Sequence, residues 1–410
     1  MPNEQLLANY ADVAVRAGVG IEPGDRLLIH STLDAADFTR MLVERAYEAG
    51  AHNVDVLWSD DATSRARFTH GSEAATESVS SASLARLAAF EQGDLMLYVA
   101  GRDPDAMAGL DPQRIASFEK TNRDAVMPLM SAQGRLRRQW SVVAAPTPAW
   151  ATNVFPNDGV EDAVEKLWAA IFRACRADQD DPIASWRQHV AELAARSSYL
   201  TAREYTGLRY EAPGTDLTLG LPEKARWMGG EGTTPEGRAF LPNIPTEEVF
   251  AGPHRLRGEG RVTATKPLSL FGNLVDGFSF EVTEGRIVNA TADRGQEMLD
   301  QLLAIDDGSV RFGEVAMVPM SSAVAAEALV WRNTIYDEND GCHIAIGRAY
   351  PISIEGGPHM SPDELEAAGL NVSSTHVDFV VGSPELTVFG QLPGRGEEPI
   401  IAGGEWGFSV

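Results

Sequence analysis

The fold of this chain is decided in residues 26–58, which read RLLIHSTLDAADFTRMLVERAYEAGAHNVDVLW. The apolar runs at 26–32 and 52–58 are typical of buried strands. Between them, residues 34–50 have the apolar spacing of an amphipathic helix that ends at Gly50. A strand, a helix and a second strand in this order predict a β-α-β unit with parallel strands.

The same alternation continues on both sides of this unit. Residues 4–18 show helical spacing, and 84–101 show a helix followed by a strand. A further helix at 111–121 precedes an apolar run at 125–130, predicted as a strand, and 138–146 is the next strand. No G-x-G-x-x-G follows any of these strands, so a dinucleotide-binding fingerprint is absent.

The second half of the chain has a different pattern. The polar stretch 176–182, RADQDDP, indicates a boundary, and short alternating runs separated by turns begin near residue 206. At 284–286, EGR joins two such runs as a hairpin. We therefore predict an α/β N-terminal domain, 1–185, with a mostly parallel sheet, and a β-rich α+β C-terminal domain, 186–410, that carries a metal site.

Composition excludes several classes of protein. The chain has 410 residues and a net charge of −25, which disfavours nucleic acid and anionic membranes but tolerates a substrate with a free ammonium group. It has no apolar run of about 18 residues and no charged-then-apolar leader, so we expect a cytoplasmic protein. Cys175 and Cys342 are too few for a disulfide framework.

Short blocks in the last 170 residues contain histidines and acidic residues in a combination typical of a metal site. Two imidazoles and three carboxylates are about what two adjacent divalent ions need while positions stay open for water and substrate. The sharpest block is HVDF, because residues i and i+2 of a strand face the same side. The candidate ligands are Glu248, Glu314, His343, His376 and Asp378.

Each block also has an ordinary explanation. Thr246 could be the N-cap of a helix with Glu247 and Glu248 in its first turn. The surrounding prolines instead favour an extended segment, in which Glu247 and Glu248 face opposite sides. Glu314 could form a salt bridge with Arg311, and His343 could be a hydrogen-bonded core histidine. His-x-Asp alone is commonly a surface pair. Glu338 and His343 could share a site only if the chain breaks between them, and Asp340-Gly341 is a turn-forming pair at that point.

The blocks resemble the metallo-aminopeptidases of the aminopeptidase T and PepS (AmpS) type. The matching segments are WMGGEGTTPEGRAFLPNIPTEEVF (227–250), GEVAMV (313–318), NTIYDENDGCHIAIG (333–347) and HVDFVVGS (376–383). The resemblance extends over residues 200–410 and more loosely over the first half. This chain departs from the family pattern at 251–253, at 340–341 and at Trp331, and none of these departures removes a ligand-type side chain.

The resemblance implies a function and assigns roles. The five candidate ligands match the family's ligands for two Zn²⁺ or Co²⁺ ions, with Mn²⁺ also possible. Tyr350 matches its active-site tyrosine, and Glu338 a further acidic position. The implied activity is release of N-terminal amino acids from small peptides by a metal-activated water, with Glu338 or Glu247 moving the proton and Tyr350 stabilising the oxyanion. The resemblance also implies a homodimer.

Two other functions remain open at this point. The first is a ring-cleaving dioxygenase with a single iron held by two histidines and one carboxylate. Retention of both Glu248 and Glu314 favours two ions instead. The second is a metal- or ligand-binding protein without catalytic activity, and only the acidic composition supports it.

Overall fold

The computed structural model describes residues 3–271, 273–394 and 396–410. The chain divides into two compact units. The first comprises Met1–Arg187, Glu231–Pro245 and Phe271–Asn273, and the second comprises Gln188–Gly230, Thr246–Leu270 and Leu274–Val410. The domain limits drawn from the sequence, 1–185 and 186–410, stay a prediction.

A four-stranded parallel sheet is the centre of the first unit. Its order is β2-β1-β3-β4, and every neighbouring pair is parallel. The predicted parallel sheet is thereby confirmed, and the first β-α-β unit lies where residues 26–58 indicated it. The strands are β1 (Arg26–Thr32), β2 (Asn53–Ser59), β3 (Leu95–Ala100) and β4 (Trp140–Ala144).

Helices follow or precede each of these strands. They are α1 (Glu4–Asp12), α2 (Ala36–Glu48), α3 (Asp61–His70), α4 (Glu73–Thr76), α5 (Ser81–Glu91), α6 (Pro112–Ala125), α7 (Met127–Gly134), α8 (Pro148–Val154) and α9 (Val160–Ala174). The next helix, α10 (Pro182–Ala202), begins in the first unit and continues into the second. The strand predicted at 125–130 is wrong, because most of that run belongs to α7. Pro128 lies in the first turn of α7, where a missing N–H costs no helical hydrogen bond.

A cluster of aromatic side chains packs between α1, α2 and α9. Phe38 stacks on Tyr10 with ring centroids 5.2 Å apart, and Trp168 lies 5.5 Å from Phe38 and 5.2 Å from Phe172. The Tyr10 hydroxyl donates to the Ala144 carbonyl and accepts from its N–H, both at 3.0 Å. Burial of each large side chain contributes about 2 kcal/mol, so this cluster stabilises the helical layer against β4.

The second unit is built mainly from antiparallel sheets. The largest has eight strands in the order β15-β14-β11-β6-β5-β19-β20-β21. Glu284 and Gly285, both with positive φ, connect β14 and β15, which confirms the predicted hairpin. The strands of this sheet are β5 (Gly207–Ala212), β6 (Thr215–Gly220), β11 (Gly258–Thr263), β14 (Ser279–Thr283), β15 (Arg286–Thr291), β19 (Thr387–Leu392), β20 (Gly396–Ala402) and β21 (Glu405–Trp406).

A five-stranded antiparallel sheet positions the candidate site. Its order is β18-β17-β16-β10-β7, formed by β7 (Met228–Gly229), β10 (Val249–Ala251), β16 (Phe312–Met317), β17 (His343–Gly347) and β18 (His376–Val380). The remaining elements are β8 (Gly232–Thr233), β9 (Ala239–Phe240), β12 (Leu268–Leu270), β13 (Asn273–Val275), α11 (Gln296–Leu303), α12 (Thr334–Asp337) and α13 (Pro362–Ala367). A parallel-sheet α/β region followed by a larger antiparallel region confirms the predicted fold class. Among the described helices, none has the length and apolarity needed to cross a membrane.

Candidate metal centre

Four neighbouring strands bring the five candidate ligands together. Glu314 lies on β16, His343 begins β17, His376 and Asp378 lie on β18, and Glu248 immediately precedes β10. The segment of Glu248 is not helical and continues directly into β10, in keeping with the prolines around it. Sequence distance is large between these residues, so only the pairing of the strands makes them neighbours.

The register of the strands places these side chains on one face of the sheet. Ala345 pairs with Glu314 on one side and with Asp378 on the other, so the two carboxylates share a row across three strands. In the next row, Ala316 pairs with His343. Side chains directly opposite each other share a face. The small alanines between the ligands leave the space that an ion and a substrate would need.

A β-bulge in β16 turns Glu314 toward this face. The register between β16 and β17 shifts between Phe312 and Glu314, where Gly313 is inserted. A Cβ atom at Gly313 would lie 2.3 Å from the Gly347 carbonyl oxygen, so no larger residue fits there. Bulges of this kind redirect a side chain beside many active sites. The bulge therefore explains why a glycine precedes the buried Glu314 in the sequence.

The Glu314 carboxylate lies between the two histidines. Its Oε1 atom is 3.5 Å from His343 Nε2, and its Oε2 atom is 3.8 Å from His376 Nε2. Glu248 Oε2 lies 3.0 Å from His343 Nε2, and Asp378 Oδ1 lies 3.4 Å from His376 Nε2. Two donor sets result, and they share Glu314: one contains Glu248 and His343, and the other contains His376 and Asp378.

Backbone carbonyls fix the orientation of both imidazoles. His343 Nδ1 lies 3.2 Å from the Gly341 carbonyl oxygen, and His376 Nδ1 lies 2.7 Å from that of Arg348. With Nδ1–H donating to a carbonyl, each Nε2 lone pair faces the carboxylates. A lone pair opposite a carboxylate is unfavourable unless a proton or a cation lies between them. This is the arrangement that metal-binding histidines commonly show.

The charges in this cluster favour a cation. Burial raises the pKa of Glu314 to about 7. Burial lowers the pKa of His376, but the Asp378 and Glu314 carboxylates outweigh it and raise that pKa to about 9. Within the described residues, Glu248 Oε2 and Asp378 Oδ1 are buried oxygens without a hydrogen-bond partner of good geometry. Three carboxylates and two imidazoles with such orphaned oxygens fit divalent metal ions.

The segment from Asp337 to His343 changes direction as the sequence predicted. The α12 helix ends at Asp337, a short 3-10 turn covers Glu338–Asp340, and Gly341 is extended before β17. Burial raises the pKa of Glu338 well above its usual range, and the charges of Asp378 and Glu248 act in the same direction. Glu338 therefore lies close enough to the cluster for its charge to be felt there.

Asn339 joins this turn to the segment that carries Glu248. Its side chain is fully buried, accepts a hydrogen bond from the Glu247 N–H at 2.6 Å, and donates one to the Ile335 carbonyl at 2.7 Å. The Glu247 carboxylate lies 3.5 Å from His189 Nε2. Glu247 and Glu248 thus have different neighbours, as expected for adjacent residues of an extended segment. Sequence reasoning missed Asn339 and His189, although Asn339 lies inside the DEN block that it singled out.

Tyr350 follows β17 and lies beside the second donor set. Its ring centroid is 4.9 Å from that of His376 and 5.9 Å from that of Phe250. Burial raises the pKa of the Tyr350 hydroxyl above its usual value, so the phenol stays protonated at neutral pH. A protonated phenol next to a metal ligand is chemically able to donate a hydrogen bond to a developing oxyanion.

Three side chains considered as site residues or reactive groups, Arg311, His30 and Cys342, have partners other than the candidate ligands. Arg311 donates to the carbonyl of Arg255 at 2.6 Å, so it is not the partner of Glu314 that the sequence left open. His30, on β1, packs edge-on against Tyr98 at 6.2 Å, and burial lowers its pKa to about 4. The Cys342 thiol is buried and donates to the Val318 carbonyl at 3.3 Å.

The chain is similar to known metalloproteases along almost its whole length. Residues 3–406 match the family model described as thermophilic metalloprotease (M29). The chain is 43% identical to aminopeptidase 2 of Geobacillus stearothermophilus over 99% of both chains. It is 40% identical to aminopeptidase T of Thermus aquaticus over 98% of both. The solved structure of wild-type AmpT from Thermus thermophilus is similar with a TM-score of 0.92 and 37% identity, over 98% of this chain and 99% of that one.

Proposed function

The chain belongs to the M29 family of metalloproteases, and on that premise we propose that it is an aminopeptidase with two divalent metal ions. Membership confirms the resemblance found in the sequence motifs, and it makes the chain a hydrolase of peptide bonds that depends on a divalent metal. The relatives named above are aminopeptidases, which does not favour the ring-cleaving dioxygenase or a purely binding protein.

One observation carries the two-metal proposal. Glu314 presents one carboxylate oxygen to each of two donor sets, at 3.5 and 3.8 Å from the respective imidazole nitrogens. A shared carboxylate of this kind suits a pair of ions a few ångströms apart. Glu248 and His343 would complete one set, and His376 and Asp378 the other. Zn²⁺ and Co²⁺ suit these nitrogen and oxygen ligands, and Mn²⁺ is also compatible.

Individual residues of the chain have separate roles in the proposed peptide hydrolysis. Bound ions would polarise the scissile carbonyl and lower the pKa of a water molecule from about 15.7 toward about 7. The charge of the ions would also lower the pKa of Glu338, and the ionised carboxylate would then take the proton of the attacking water and pass it to the leaving amine. Tyr350 donates a hydrogen bond to the oxyanion. Because the Glu247 carboxylate is directed toward His189, we assign Glu247 to the positioning of Glu248 rather than to proton transfer.

The substrate is a peptide with a free N-terminus. The net charge of −25 attracts a substrate with a free ammonium group at long range. We also propose a homodimer, in keeping with the family resemblance. A monomeric mass by light scattering at micromolar concentration would contradict the dimer without affecting the proposed activity.

Elemental analysis of the purified protein combined with a panel of aminoacyl-anilides tests the proposal. We expect two metal ions per chain and release of aniline from free aminoacyl-anilides, but not from their N-acetylated counterparts. The acetylated compounds are the matched control, because they differ only at the amine. One ion per chain would contradict the paired site, and equal turnover of acetylated substrates would contradict an aminopeptidase.

A further inference from the structure

Arg348 is a cation that lies beside the candidate centre. Among the described residues it forms no ion pair, and its guanidinium carbon lies 5.9 Å from the centroid of the Tyr350 ring. The Arg348 carbonyl also accepts a hydrogen bond from His376 Nδ1 at 2.7 Å, so the residue lies directly beside the second donor set. An arginine so close to several acids would ordinarily pair with one of them.

The backbone of Arg348 is held firmly in place. Its N–H donates to the Thr375 carbonyl at 2.7 Å, and its own carbonyl accepts from His376 Nδ1 at 2.7 Å. The same residue therefore orients a candidate ligand through its main chain and carries a free guanidinium on its side chain. The partly exposed side chain starts from a fixed point next to Tyr350.

A second cation, Lys266, already has an ion-pair partner. Lys266 forms an ion pair with Asp340, and its charge acts on the buried Asp337. It therefore balances the turn that carries Glu338. No carboxylate in the described part of the chain pairs with Arg348, so its guanidinium is free for an anion brought by the substrate. The planar fork of a guanidinium binds a carboxylate through two parallel hydrogen bonds.

We propose that Arg348 binds the C-terminal carboxylate of short peptides, so that dipeptides are preferred over the same compounds with a blocked C-terminus. This inference rests on the aminopeptidase function proposed above. In a dipeptide the carboxylate lies only one residue, about 3.8 Å of chain, beyond the scissile bond. Because the chain is strongly acidic overall, a cation within reach of that carboxylate favours its binding.

A comparison of three substrates with the same N-terminal residue tests this role. They are a free dipeptide, the dipeptide C-terminal amide and the aminoacyl-anilide, which has no carboxylate. We expect the wild type to favour the free dipeptide over its amide by about tenfold in kcat/KM, as is usual for a charge-assisted contact. In Arg348→Met the ratio of the free dipeptide to its amide should fall to about one, because kcat/KM for the free dipeptide falls more than kcat/KM for the two substrates without a carboxylate.

Two further variants separate recognition from general electrostatics. Arg348→Lys keeps the charge but loses the fork, so it should retain only part of the preference. Arg286→Met removes an exposed cation of β15 and should keep the wild-type ratio. An unchanged ratio in Arg348→Met, or an equal loss on all three substrates, would overturn the proposal.

A binding measurement keeps this inference separate from the proposed activity. Calorimetry with a dipeptide analogue whose scissile amide is replaced by a methyleneamine needs no turnover. The analogue should bind wild-type protein about tenfold more tightly than its C-terminal amide, and Arg348→Met should bind both equally. If no substrate is hydrolysed but this difference is seen, the aminopeptidase proposal fails and the carboxylate site stands. Equal binding by the wild type would rule out the carboxylate site.

Discussion

Glu314 is the residue on which the arrangement of the centre depends. It is almost completely buried, and its two oxygens face different histidines. A lone buried carboxylate would cost several kcal/mol, so its position in an apolar strand already pointed to a partner in the sequence. The structure adds that the partner is a cluster of four other side chains, and that Gly313 makes its orientation possible.

Tyr350→Phe tests the role of the phenol. If Tyr350 donates to the oxyanion, the variant should keep its fold and metal content while kcat falls by about 10²–10³ with little change in KM. The reason is that the lost hydrogen bond strengthens only in the transition state. Steady-state kinetics and metal analysis on the same sample are the measurement. Loss of metal would make Tyr350 a ligand, and a near-normal kcat would mean that the ring only packs against His376 and Phe250.

The pair of variants Glu338→Gln and Glu247→Gln separates the two candidate acids. Glu338→Gln should lower kcat by about 10²–10⁴ and retain metal, because a positioned proton-transfer group contributes about that much. Glu247→Gln should lower kcat far less, since its carboxylate is directed toward His189. The opposite ranking would exchange the two roles. Loss of metal in Glu338→Gln would indicate a ligand.

At the scale of elements, the sequence predicted what local patterns specify. The β-α-β unit at 26–58, the hairpin at 284–286 and the break at Asp340-Gly341 all follow from the periodicity of side chains or from turn-forming residues, and each is confirmed. Residues 125–130 were misjudged because an apolar run of six residues suits a buried helix as well as a strand.

The same local patterns could not predict which strands pair when they lie far apart in the sequence. The order β18-β17-β16-β10 brings together segments more than 120 residues apart, and no local spacing specifies it. The candidate ligands were found because of their chemistry and the family resemblance. Asn339 was not recognised, since a buried asparagine reveals its role only through the backbone groups that it joins.

Asp306 links the segment that leads into β16 to the segment that leads into β18, and it gives an expected pH dependence of stability. Its oxygens accept hydrogen bonds from Ser373, Ser374 and Ser309 at 2.7–2.9 Å. Burial raises the pKa of Asp306, but these hydrogen bonds outweigh it and hold the pKa below its usual value. The stabilisation is therefore present above the unfolded-state pKa of about 3.9 and is lost as pH falls through the folded-state pKa.

Asp306→Asn should consequently lower the free energy of unfolding by about 2 kcal/mol near neutral pH, and the difference from wild type should shrink in acid. Urea unfolding from about pH 6 to about pH 3 measures it. Asp307→Asn, at the exposed neighbouring residue, is the matched control and should show almost no effect. A difference that stays constant or grows in acid would contradict the assignment.

At the scale of the whole molecule, metal binding and folding should be coupled. The candidate centre joins four strands through carboxylates that repel one another in the absence of a cation. Ions that bind only the folded chain stabilise it by about 2.7 kcal/mol at a free concentration a hundred times Kd. The unit that contains this sheet is therefore expected to lose stability when its metal is removed.

Chelation and reloading test this coupling directly. Activity should disappear on chelation and return with Zn²⁺, Co²⁺ or Mn²⁺, because imidazole and carboxylate ligands accept all three. The Tm of the chelated protein should rise again as each metal is added. His376→Ala and Asp378→Ala each lack one ligand of the second set, so both should contain less metal and show a smaller rise in Tm. Two ions retained in both variants would place the site elsewhere, and full activity in verified metal-free protein would refute metal dependence itself.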